Sequence, residues 1–294
     1  METAGKIAVL TDSCCDLPQE YFKKYPIFCL PLVVTCGERT YRDNIDITVE
    51  EVYDRQKTEN FKTSLPRLQD VNDTLDAIAR QGYTQVISLT IAECLSGTNN
   101  LIRLAAQQRD DLDVAVFDSK SASLGEGALA VQVAQYAQRG VPFHRLKPLT
   151  ERLVRDNRVF FSLDTLKYLK RGGRIGRVTA MAGSLLQIKP ILSFDPEDGV
   201  ISSVAKVRGR RGVQERLIRL VTDLAEQHPG EKYNLVVCDG NVPEEGAALE
   251  QALTDALPRA GRVIHGKIDA TLAVHLGPHL LGVGIQFLKS ELPG

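Results

Sequence analysis

The chain of 294 residues is long enough for one large domain or two of ordinary size, each with its own core. Apolar residues make up 43% and charged residues 25%, and the net charge of −1 argues against a dedicated nucleic-acid binder, which needs a basic excess to displace counterions. No uninterrupted apolar run reaches membrane-spanning length, and the opening METAGKIAVLTDS lacks the basic, apolar and small-residue order of a signal peptide, so the expectation is a cytoplasmic protein.

The first half alternates strand-like and helix-like patterns. Strands are predicted at Lys6–Thr11, Ile27–Thr35, Gln85–Thr90 and Asp113–Asp118, and helices at Thr48–Thr58, Leu68–Gln81, Thr98–Gln108 and Gly125–Gln138. Such alternation predicts a mostly parallel sheet flanked by helices, with ligands bound beyond the carboxyl ends of its strands. Polar tips recur there: Thr11-Asp12-Ser13, Ser96-Gly97-Thr98 and Asp118-Ser119. Gly140 and Pro142 interrupt the pattern, and a boundary is placed so that residues 1–155 form one α/β domain and 156–294 a second. After a short helix, the second domain begins with a strand at Val159–Leu163. Lys189–Asp195 and Val200–Val207, joined by PEDG, read as an antiparallel hairpin. Helices near Val213–Gln227 and Glu244–Leu257 and strands at Tyr233–Asp239, Arg262–Ile268 and Val283–Leu288 complete a mixed sheet with helices. The predicted fold class is α/β in two domains.

TDSCC after the first strand lacks the glycines that a dinucleotide pyrophosphate needs, and no GxxxxGK[ST] or GxSxG is present. The six cysteines form no CxxC and no cysteine–histidine metal spacing, which favours reduced, mostly buried thiols. Cys94 precedes Ser96 by two residues, but no histidine is placed beside it. In SLTIAECLSGTNNLIRLAAQQ the cluster Ser96-Gly97-Thr98 falls between a strand and a helix, where unpaired backbone N–H groups favour an anion; Ser96 or Thr98 as a plain helix cap is the competing reading. Thr63 and Ser64 of TSLPR read first as caps. His275 and His279 of HLGPH stand four apart, but Gly277-Pro278 between them breaks a helical metal face, leaving His275 either structural or aimed into the interdomain cleft. Lys167, Lys170, Arg171, Arg174 and Arg177 crowd around Gly172-Gly173; they read as a solvated basic face or a contact for an acidic partner or anionic lipid surface. Arg208 of KVRGRRG offers a guanidinium fork for a carboxylate or phosphate.

Taken in order, KIAVLTDSCCDLP, TSLP, LSGT, VFDSKSASLGEG, LDTLKYLKRGGRIG, LLQIKPIL, KVRGRRG and HLGP resemble the DegV family of fatty-acid-binding proteins, the lipid-presenting subunits of bacterial fatty acid kinase. The resemblance runs from residue 6 to about 287 and implies a long-chain fatty acid in a tunnel at the domain junction. It implies Thr63 and Ser96 as carboxylate ligands with the Gly97 backbone nearby, and matches His275 and Arg208 to the family's histidine and arginine. It also implies a fatty acid kinase catalytic subunit as partner, which brings ATP and Mg²⁺; no cofactor, metal or catalytic residue is expected in this chain. The HtGPG pattern of the family is departed from at Leu276 and at His279, which replaces a glycine, and Asn99 stands where an aromatic is expected. Two other readings follow from the residues: a stand-alone enzyme on a small anionic metabolite with His275 as general base, and a lipid sensor whose occupancy a partner reads.

Overall fold

The computed structural model describes residues 5–181 and 188–288. Residues 182–187, which include Leu185, Leu186 and Gln187 of the LLQIKPIL stretch, lie outside the described residues. The first half runs β1 (Ile7–Asp12), α1 (Gln19–Lys24), β2 (Ile27–Leu30), β3 (Val33–Cys36), β4 (Arg39–Arg42), α2 (Val49–Arg55), β5 (Phe61–Ser64), α3 (Leu68–Arg80), β6 (Gln85–Thr90), α4 (Thr98–Ala106), β7 (Asp113–Asp118), α5 (Leu124–Gln138) and α6 (Phe143–Arg155). The second runs β8 (Asn157–Ser162), α7 (Lys167–Arg171), β9 (Ile188–Phe194), β10 (Ile201–Arg208), α8 (Gly209–Gln227), β11 (Lys232–Asp239), α9 (Pro243–Ala256), β12 (Val263–Lys267), α10 (Ala270–Leu276) and β13 (Leu281–Leu288).

Strands β2-β1-β6-β7 form a parallel sheet in that order. All but the first residues of β1 and β6 are buried, as expected where helices cover both faces. Because β2 and β6 flank β1 on opposite sides, the order in which strands are added reverses between β1 and β6, and a crevice opens past their carboxyl ends. Asp12 bridges that crevice by accepting the backbone N–H of Ile91 at 3.0 Å. The second sheet has the order β10-β9-β8-β13-β11-β12, antiparallel throughout except for the β11–β12 pair. The fold is therefore two α/β domains, one built on the parallel sheet and one on the mixed sheet.

One predicted strand divides. Ile27–Thr35 becomes β2 and β3, separated at Pro31, which has no N–H to continue a ladder. Strand β3 then leaves the parallel sheet and pairs antiparallel with β4 and β5, with Val34 opposite Thr63. The small three-stranded sheet β4-β3-β5 so created was not predicted.

Helix α5 joins the two domains. It is buried around nearly its whole circumference and packs on β1 and β6 on one side and on β8, β11, β12 and β13 on the other. An all-round apolar surface is what a helix between two sheets requires. Of its buried polar side chains, Gln132 accepts from Asn234 at 3.2 Å, and Glu126 accepts from the Thr11 hydroxyl at 2.6 Å through Oε1 while its Oε2 is buried without a partner. Helix α10 crosses back from the second half to pack on α2, β3 and β5 of the first. Asp269 caps its first turn through the Leu272 N–H, and carboxylates of the first half receive its other free N–H groups: Asp16 from Asp269 at 2.8 Å, Asp43 from Ala270 at 3.2 Å and Thr271 at 3.4 Å.

Candidate functional site

The hydroxyls that the sequence left between capping and ligand binding do not cap. Thr63 and Ser64 end β5, and α3 starts after Arg67 without a side-chain cap. Gly97 stands at the N-cap of α4, again with no side-chain cap bond, while the Ser96 and Thr98 hydroxyls bond one another at 2.8 Å. Thr63 and Ser96 instead line a cavity of about 280 Å³ between the two domains, near the lower end of the range for small-molecule sites.

The cavity wall is mostly aliphatic and aromatic, with Ile91, Leu124, Phe161, Phe194, Val236 and Leu280 among its residues. At one end a ring of contacts gathers the polar groups. The Thr63 hydroxyl and His275 Nε2 are 2.7 Å apart. The other ring nitrogen, Nδ1, is buried without a hydrogen-bond partner and faces Gly172 so closely that a Cβ there would lie 2.0 Å from it. Gly172 is thus obligatory through contact. Its carbonyl accepts from Arg174 Nη1 at 2.8 Å, and Arg174 Nε donates to the Leu95 carbonyl at 3.1 Å. Leu95 precedes Ser96, and Leu65, two residues past Thr63, packs over Gly97 to close the ring.

Burial, then the positive charges of Arg174 and Arg171, lower the His275 pKa to about 4. The imidazole is neutral near pH 7 and holds Thr63 by a hydrogen bond; positive charge at the cavity comes from Arg174. The site can therefore take an amphiphile, with its apolar part along the hydrocarbon wall and an anionic head among two hydroxyls and a guanidinium. Among the described residues no group of three His, Cys, Asp or Glu side chains is placed to hold a metal ion.

The structure brings Thr63, Ser96 and His275 to the cavity, with Gly97 behind Ser96. Arg208 differs from expectation: it is exposed at the end of β10, opposite Ile188, and is not part of the cavity wall. The basic cluster separates into three environments. Lys167 and Lys170 are exposed on α7, and Arg171 stacks 5.2 Å from the Tyr168 ring centre. Arg177 is not a loose surface charge, because it pairs with Asp195 at 3.0 Å and with Asp198, pinning the turn between β9 and β10. Arg174, expected at a partner surface, turns inward to the cavity, because its guanidinium finds two carbonyl acceptors there.

Sequence reading missed Arg174 as a cavity residue, along with Ser123 and Thr271 in its wall. The available signal was the Gly172-Gly173 pair before Arg174, where the chain turns sharply. His279 lies outside the wall: it stands in the left-handed conformation, φ 69°, that favours a glycine, and is held by its N–H on the Gly240 carbonyl at 2.5 Å and by Nδ1 to Asp164 at 2.7 Å. Asn99, where an aromatic is expected, is fully buried with no partner for its amide and is not part of the cavity wall.

Fold and site together define a two-domain α/β protein with a largely apolar cavity between the domains and a polar end. Residues 6–288 match the family described as "Uncharacterised protein, DegV family COG1307", and the chain belongs to the DegV family. It is 34% identical to a DegV domain-containing protein of Clostridium acetobutylicum over 281 residues, 95% of this chain and 98% of that one. Among solved structures it is similar to a fatty-acid-binding DegV family protein of Thermus thermophilus, with a TM-score of 0.88 at 30% identity over 96% of this chain and all of the other. It is also similar to a stearic-acid-binding protein of Eubacterium ventriosum, with a TM-score of 0.87 at 29% identity over 96% and 98% of the two chains. No helix among the described residues is long and apolar enough to cross a membrane.

Proposed function

We propose that this protein binds one long-chain fatty acid in the interdomain cavity and presents its carboxylate to an ATP-dependent fatty acid kinase, which converts it to an acyl phosphate. The observation that carries the reading is the gathering of Thr63, Ser96 and Arg174 at one end of an apolar cavity, in a chain whose relatives bind fatty acids. Burying a sixteen-carbon chain at about 0.8 kcal/mol per methylene supplies on the order of 10 kcal/mol gross, so the tail provides affinity and the head fixes orientation. A neutral His275 donating Nε2–H to the Thr63 oxygen leaves the Thr63 proton for the carboxylate, with the Ser96 hydroxyl as second donor and Arg174 balancing the charge. ATP and Mg²⁺ belong to the partner, and this chain acts as a carrier rather than an enzyme. The exposed Arg208, Lys167, Lys170 and Arg171 form the side offered to the kinase and, in transit, to an anionic membrane surface in the cytoplasm.

Native mass spectrometry of the purified protein, followed by denaturing extraction, tests the ligand: one fatty acid per chain is expected. An empty protein with no thermal response to added palmitate or oleate overturns the reading, as does turnover of a small metabolite by the purified chain alone. With the kinase subunit, ATP and Mg²⁺ added, Ser96→Ala lowers acyl phosphate formation at least tenfold while the melting temperature holds. Unchanged transfer removes Ser96 from the head-group site. Lys170→Glu weakens kinase affinity with fatty acid content unaltered.

A further inference from the structure

Strand β13 has one face in each half of the molecule's interior. Leu281, Val283 and Ile285 pack with residues of α8 and α9 in one core, so the alternation of a strand turns Gly282 and Gly284 to the opposite face, the side of the interdomain cavity. Gly282 stands between Phe161 of β8 and Cys238 of β11, both in the cavity wall, and Gly284 stands between Val159 and Val236, also in the wall. The second row lies about 7 Å further along β13 from the turn that follows His275 and α10.

The glycines here do different things. A Cβ on Gly284 would lie 2.8 Å from both the Arg158 carbonyl oxygen and Val236 Cγ2, and 3.2 Å from Val159 Cγ2, so protein atoms already fill that place and the two valines close the cavity over it. Gly125, in the wall at the first turn of α5, would put a Cβ 2.2 Å from Ser121 Oγ and 2.5 Å from Val159 Cγ2. Gly282 meets no such obstacle. The nearest atoms to a Cβ there would be Phe161 Cβ at 3.5 Å and Leu280 Cδ2 and the Phe160 carbonyl oxygen at 3.7 Å, all ordinary contacts, and its φ is not positive. The Phe161 ring is not among these atoms; it lies against Phe194 of β9, with 5.5 Å between ring centres. Neither packing nor backbone conformation requires a glycine at 282, and a glycine inside a strand weakens it. What the bare backbone provides is room in the cavity between Phe161 and Cys238.

We propose that Gly282 sets the length of acyl chain that the cavity accepts: the tail passes over its bare backbone to reach the floor at Val159 and Val236. This inference rests on the fatty acid reading above. A side chain at 282 stands in that passage and shuts off the last stretch of wall. Longer acids then lose the burial of their terminal methylenes, while the polar end at Thr63, Ser96 and Arg174 is untouched.

The test takes the full-length protein, Gly282→Ala and Gly282→Val, frees each of bound lipid, offers each an equimolar mixture of laurate, myristate, palmitate and stearate, and reads the retained acids by native mass spectrometry. Preference is expected to move toward shorter acids in Gly282→Ala and further in Gly282→Val, where the stearate-to-laurate ratio falls about tenfold, the effect of about two methylenes left unburied. Gly282→Ala keeps the melting temperature of the lipid-free protein and carries the test if Gly282→Val does not fold. An unaltered protein that retains none of these acids overturns the fatty acid reading and this inference with it. Retention by the unaltered protein with the same preference in the variants overturns this inference alone. Loss of all the acids in equal proportion assigns Gly282 to packing rather than to chain length and overturns it as well.

Discussion

Burial and the guanidinium groups of Arg174 and Arg171 hold His275 neutral, and this sets the pH response of the Thr63–His275 contact. The imidazole titrates at about 4 in the folded chain against an ordinary 6.5, so the unfolded state binds the extra proton between those values. The contribution to stability is complete above pH 6.5 and is lost as the pH falls toward 4, by roughly 3 kcal/mol at most. His275→Gln therefore flattens the fall in urea stability over that range; an unchanged slope would assign it elsewhere. Asp12 acts in the opposite sense: burial raises its carboxyl to about 7, so its contribution is complete below pH 4 and is lost as the pH rises through 7. A second residue-scale prediction concerns Gly172. A methyl group there meets Nδ1 of His275, and Gly172→Ala is expected to destabilise the protein by about 1 to 3 kcal/mol. On the proposed function, the fatty acid retained in native mass spectra of Gly172→Ala falls as the Thr63–His275 bond is displaced.

Helix α10 is short, and its position rests on its ends. Asp269 caps the first turn, Asp16 and Asp43 receive neighbouring N–H groups, and Gly277 ends the helix at φ 70°, where a Cβ would also run into the Tyr168 ring at 2.4 Å. Asp269→Ala removes the cap and is expected to cost about 0.5 to 2 kcal/mol in denaturant titration, with faster amide exchange concentrated in 270–276. The elements of the parallel sheet were legible because their apolar runs and turn residues are local. The division of Ile27–Thr35 was less so: Pro31 marked it, but only pairing with β4 and β5 turns β3 into part of another sheet.

Because α5 is packed by both sheets and α10 is held by carboxylates of the opposite half, neither domain can open its core alone. One cooperative transition is expected, with far-ultraviolet dichroism and tyrosine fluorescence coinciding, the chain having no tryptophan. Fatty acid at a free concentration a hundred times its dissociation constant then adds about 2.7 kcal/mol to the whole molecule rather than to one half. Two separate transitions, with only one moved by ligand, would contradict this coupling.

Sequence alone determined the alternation of strands and helices, the parallel character of the first sheet, the β9–β10 hairpin and the polar tips after β1 and β6, because each depends on residues close in the chain. The motifs, taken in order, also pointed to Thr63, Ser96 and His275, although no local rule separates a capping hydroxyl from a ligand-binding one. Only the tertiary structure decided that these hydroxyls leave the helix ends uncapped and line the cavity instead. It placed β5 at the rim, left α3 and α4 without side-chain caps, and set His275 against Thr63, which is 212 residues away. It likewise turned Arg174 into the cavity and left Arg208 outside, because the direction of a long cationic side chain follows the carbonyl groups that the fold brings within its reach.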